Sequence, residues 1–158
     1  HRLERALDMR KLVFAAALSL MATGSAAQVI GTADSVAQAL ADYGLRVEHD
    51  TDSRGAPKLT SRIEGTRFTI WFYGCDDMPC GSVQLAAGFN VDEPLPPSKL
   101  NQWNQEKRFA KGTVDDEGDP FLRMDIALSD GGVSPESFEF SLDMWRIALG
   151  QFRTFIGW

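Results

Sequence analysis

The chain has 158 residues, with 16 basic and 22 acidic side chains and a net charge of −6. That balance disfavours nucleic acid or anionic lipid as a partner. The length allows one domain around a single hydrophobic core.

Residues 1–8 read as an upstream extension outside the domain. Met9-Arg10-Lys11 is a short positive segment. Leu12 to Gly24 is an apolar run, and Ser25-Ala26-Ala27 places small residues at −3 and −1 before Gln28. This is the pattern of a cleavable signal peptide over residues 9–27. A membrane span needs roughly 20 apolar residues, more than the run supplies. The expected mature domain, 28–158, is 131 residues long; losing Arg2, Arg5, Arg10, Lys11, Glu4 and Asp8 takes its net charge to −8.

A first helix is predicted from Asp34, a capping residue, to Tyr43, with Val36, Ala39 and Leu40 at helical spacing and Gly44 as the stop. Leu45, Val47 and His49 alternate with Arg46, Glu48 and Asp50, as in a half-buried strand. The turn Asp50–Pro57 leads to a short strand, Lys58–Ile63. Arg67–Gly74 is the strongest strand signal: Phe68, Ile70 and Phe72 face one way, Thr69, Trp71 and Tyr73 the other.

Cys75 and Cys80 bracket the next loop. Their spacing does not fit a C-x-x-C redox pair, and no histidines stand near to complete a zinc site. In an exported protein the ordinary reading is one structural disulfide across the end of a hairpin. The returning strand, Ser82–Phe89, offers the small face Gln84, Ala86 and Gly88, over which Trp71 and Tyr73 would lie in an in-register hairpin.

A second helix is predicted over Ser98–Arg108, with Leu100, Trp103 and the stem of Lys107 inward. Strands Ala110–Val114 and Phe121–Leu128 flank the acidic turn Asp115–Asp119. The last helix begins with Ser134 as cap, Pro135 at N1 and Glu136 in the first turn. Phe138, Leu142, Trp145, Leu149, Phe152 and Ile156 then recur at steps of 4, 3, 4, 3 and 4, a single apolar stripe. Hairpin connections with few helices imply an α+β fold, an antiparallel sheet covered by helices.

Several stretches together resemble the YbjN-domain family of bacterial sensory transduction regulators: WFYGCDD (71–77), AGFNVDEPLP (87–96), NQWNQEKRFAK (101–111), DDEGDPFLRMDIAL (115–128) and GGVSPESF (131–138). The closing Trp145, Leu149 and Phe152 fit as well. The most specific piece is W-N-x3-R-F, at Trp103, Asn104, Arg108 and Phe109. The exported, two-cysteine type resembles small alphaproteobacterial members. The resemblance implies a type III secretion chaperone-like fold, ordered α-β-β-β-α-β-β-α and often dimeric. It implies no catalytic residues and no cofactor. The present order matches if Lys58–Ile63 belongs to a ragged first hairpin.

The residues themselves offer little catalysis. The expected mature chain has one histidine, His49, with no nucleophile paired to it, and lacks G-x-S-x-G, H-E-x-x-H and a phosphate-binding glycine loop. Asp115, Asp116, Glu117 and Asp119 are weak metal candidates whose spacing misses a calcium-loop pattern; a solvated turn is the ordinary reading. Asp76 and Asp77 read as turn formers. Lys107, Arg108 and Lys111 form a basic knob that either satisfies the end of the second helix or meets an anionic partner. Trp103 and Trp145 belong to the core, whereas Trp71 and Tyr73 mark a recognition surface, unless the first helix or the cysteine loop covers them. The leading expectation is a non-catalytic periplasmic binding or chaperone-like module that dimerises or engages a protein or peptide. The rival is a sensor of a metal or small ligand.

Overall fold

A computed structural model of the chain describes residues 24–158, so most of the expected leader lies outside the described residues. The elements run α1 (Ala33–Asp42), β1 (Val47–Thr51), β2 (Pro57–Ile63), β3 (Thr66–Tyr73), β4 (Ser82–Gly88), α2 (Pro97–Glu106), β5 (Lys111–Val114), β6 (Pro120–Ala127) and α3 (Pro135–Ile156). The fold is α+β. The strands form one antiparallel sheet in the order β1-β2-β3-β4-β6-β5. Four strands precede α2: β1 and β2 pair as a regular hairpin, which adds one strand to the order the family resemblance implies.

Strand alternation sets the two faces. Register places Leu59, Ile70, Leu85 and Met124 in one row, and Phe72, Val83 and Ile126 in another. All seven are buried. The expected stripe of α3 covers them. Its Phe138, Leu142, Trp145, Leu149, Phe152 and Ile156 are all buried, and Trp145 meets Phe68 edge-on with centroids 5.7 Å apart. Burying each such side chain contributes about 1.5–3 kcal/mol. Ser134 caps this helix by accepting from the Ser137 N–H at 3.1 Å, and Pro135 occupies its first turn.

The shorter helices depart from expectation at their ends. Thr32, not Asp34, caps α1: its extended backbone turns its hydroxyl to the Ser35 N–H at 3.2 Å, leaving Asp34 in the first turn. Helix α2 stops at Glu106, where Lys107 turns extended at ψ 131°. In β1 only Val47 is half-buried and His49 is exposed, because this edge strand is covered by little more than α1.

The start of the described chain is tied down at two points. Val29 pairs with Val133 through N–H···O bonds of 2.8 and 3.0 Å. The Cys80 N–H donates to the Gly31 carbonyl at 2.8 Å. Gly31 has to be glycine here, since a Cβ would collide with the Cys80 backbone.

Candidate functional site

The helices place their buried residues on one face of the sheet, and the other face is open. Its centre is β3. Trp71 stands between Lys58 and Gln84, and Tyr73 stands beside Ser82, the arrangement the strand alternation predicts. Neither α1 nor the cysteine loop closes over the pair. Trp71 is half-buried with the Lys58 ammonium 5.4 Å from its ring, and Tyr73 is 48% exposed. Toward β6 the face covers itself. The Phe121 ring fills the space a Gly88 Cβ would need, and the Arg123 guanidinium lies 4.6 Å from that ring.

Cys75 and Cys80 form a disulfide with Cα atoms 4.2 Å apart. Cys80 lies in the core and Cys75 is half-buried, so the bridge ties the end of the β3–β4 hairpin to the packed side.

Lys107 and Arg108 fall at the β5 side of the molecule, apart from Trp71 and Tyr73 on β3. Lys107 is the C-cap of α2 and Arg108 follows it, one residue beyond the helix end. Their charges rest on rings. Lys107 lies 5.5 Å from the Trp103 centroid, and Arg108 5.5 Å from that of Phe109. Lys111 reaches Asp125 at 3.5 Å. Each cation of the knob is thus answered within the chain.

The W-N-x3-R-F motif divides by task. Trp103 donates from Nε1 to the Ala110 carbonyl at 3.0 Å. Asn104 holds Gly112 by both its groups, accepting the N–H at 2.8 Å and donating to the carbonyl at 2.9 Å. These bonds dock α2 on β5. Gly112 leaves the inner face open for Trp103 and Phe152 to close upon it. The motif's tail, Arg108 and Phe109, is exposed.

In the acidic turn, Asp115 accepts from the N–H groups of Glu117 (3.0 Å) and Asp119 (2.9 Å), and Asp119 accepts from that of Val91 (3.1 Å). Asp116 and Glu117 are exposed. Two of the four carboxylates are engaged in shaping the turn. Among the described residues, no group of three or more His, Cys, Asp and Glu side chains is placed to hold a metal ion.

Two further features escaped the sequence reading. The first is a second apolar line on the outward side of α3. Phe140 (55% exposed) and Ile147 (43%) lie on it, with Phe109 reaching Phe140 edge-on at 6.3 Å. The steps from Phe140 to Met144 to Ile147 are its only sequence signal. The second is a polar network joining α1, α3 and the β2–β3 turn. Tyr43 donates to Asp143 at 2.6 Å, and Arg146 bridges Asp143 (3.8 Å) and Glu64 (3.3 Å). Burial first, then the bond to Asp143, push the Tyr43 phenol above its ordinary value.

A hollow of about 570 Å³ between the chain's first described residues, α1 and α3 is lined in part by Ala26 and Ala27. Cleavage before Gln28 would remove those two walls.

A family model described as "YbjN: Putative bacterial sensory transduction regulator" matches residues 32–158. The chain belongs to the YbjN family. No curated protein and no solved structure matches it. The match begins at Thr32, the residue that caps α1, and takes in every strand and helix of the YbjN domain. Among the described residues no helix is long and apolar enough to cross a membrane.

Proposed function

We propose that this YbjN domain is an exported, non-catalytic binding module that engages a protein or peptide through the open face of its sheet. One observation carries the reading: a sheet covered by helices on one side carries Trp71 and Tyr73 on the other, at the cysteine-loop end of its third strand. Aromatic rings in such a position supply much contact area for little entropy loss, which is why they are enriched at interfaces. A periplasmic location is supported by the leader-like segment 9–27 and by the disulfide. The family's description as regulators suits a module that acts by binding. The metal-sensor alternative loses support from the turn, where Asp115 and Asp119 already accept backbone N–H groups.

The test is the double variant Trp71→Ala, Tyr73→Ala. Sedimentation of the purified protein and chemical crosslinking in periplasm should show an assembly, with itself or with another polypeptide, that the variant loses. The variant's unfolding midpoint should change little. Assembly that survives the double substitution would move the binding surface elsewhere.

A further inference from the structure

Three arginines stand side by side at one end of the open face. Arg62 on β2 lies directly opposite Arg67 on β3. The pairing of Val47 with Ser61, continued by one residue, sets Arg46 opposite Arg62. The Ser61 hydroxyl donates to the Arg46 carbonyl at 2.7 Å and fixes the start of β1 in that register. Alternation puts all three side chains on the uncovered face, because their neighbours Ser61, Ile63, Thr66 and Phe68 are buried on or toward the helix side.

Like charges directly opposite one another on a sheet destabilise it. Here two such pairs occur in succession, in a chain whose acidic residues outnumber its basic ones. Three other cations are paired. Lys58 pairs with Asp50 at 3.3 Å, Lys111 with Asp125, and Arg146 with Glu64 and Asp143. Arg46, Arg62 and Arg67 form no ion pair among the described residues. Among the described residues Arg62 reaches only the Gly65 carbonyl, at a long 3.4 Å. The carboxylate of the adjoining turn, Glu64, is drawn toward α3 by Arg146.

The row is also concave. Arg46, Arg62 and Arg67, with Glu48 and the nearly buried Thr60, line a hollow of about 330 Å³. Three guanidinium groups against one carboxylate leave two positive charges, the complement of a dianion. A carboxylate's two oxygens are filled by one bidentate fork, whereas a phosphoryl group offers oxygens in several directions to several forks. We propose that this hollow is a binding site for a phosphate-class dianion, free or carried on a small soluble molecule, with Arg46, Arg62 and Arg67 as its ligands and Thr60 as a hydroxyl donor. The repulsion within the row is relieved when the anion binds. The site is separate from Trp71 and Tyr73 and does not depend on their role.

The experiment is thermal melting of the purified chain in inorganic phosphate and in sodium acetate at matched ionic strength. Phosphate at saturation should raise the midpoint by roughly 3–5 °C beyond acetate. Arg62→Gln with Arg67→Gln should abolish that difference. Without phosphate the double variant should melt no lower than the wild type, because like-charge repulsion is removed. Lys111→Gln, in the self-answered basic cluster at the β5 edge, should keep the full phosphate response. Equal midpoints in phosphate and acetate, or a response that survives in the double arginine variant, would overturn the proposal. Vesicles containing phosphatidic acid separate the two sources of the group. No cosedimentation is expected, and cosedimentation that the double variant loses would overturn the soluble ligand in favour of a lipid headgroup.

Discussion

The two faces of this sheet share a backbone, a register and a set of hydrogen bonds, yet obey different rules. On the covered face, Phe68, Ile70 and Phe72 alternate into a continuous apolar layer closed by α3. Identity there is decided by volume, because every side chain must fill space left by its neighbours. On the open face the same strand carries Arg67, Thr69, Trp71 and Tyr73. No helix closes over them to dictate size, and even a row of three arginines is tolerated. Residues chosen for binding are expected where packing makes no demand.

The sharpest way to break this comparison is one large truncation on each face. Phe68→Ala removes a ring buried against Trp145 and should cost about 3–5 kcal/mol in denaturant unfolding. Trp71→Ala with Tyr73→Ala, which removes more ring area, should cost less than about 1 kcal/mol. Similar losses on the two faces would mean that the open face is packed after all. A smaller effect is expected from Cys75→Ala with Cys80→Ala. The bridge spans a sequence separation of only 5, so its loss should cost about 2 kcal/mol without preventing folding. Alkylation of the native protein without reductant should leave both sulfurs unmodified.

The smallest effect concerns the network beside the covered face. Tyr43→Phe deletes the bond to Asp143 and should cost about 1 kcal/mol at neutral pH. The folded protein holds the phenol above its ordinary value of 10.0. Its contribution is therefore complete below that pH and is lost as pH rises through the folded-state value. Wild-type stability should fall more than that of Tyr43→Phe in this alkaline window. Parallel curves would show that the phenol is not perturbed.

Legibility in the sequence follows the same division. The 22-residue α3 was readable because one stripe, one cap and one N1 proline agree. Strand β3 was readable because its alternation is strict, and its two faces were therefore assigned correctly. Errors gathered where two residues compete for one role. Thr32 and Asp34 are both good caps, and only backbone geometry decides between them. Lys107 has an aliphatic stem suited to a helix stripe, but the chain turns extended there and its ammonium settles near Trp103. The arginine row was invisible for another reason. Arg46, Arg62 and Arg67 are scattered along the sequence, and only the register of two hairpins makes them neighbours.

The double tether on Val29 and Gly31 bears on the order of assembly. Whether this polypeptide emerges from a ribosome or a translocation pore, its N-terminal end appears first. Yet the long-range hydrogen bonds of residues 29–31 run to Cys80 and Val133, the latter just before the final helix. Residues 29–31 must therefore wait for partners made much later. Any partner that catches residues 29–31 during this interval competes with closure of the domain itself.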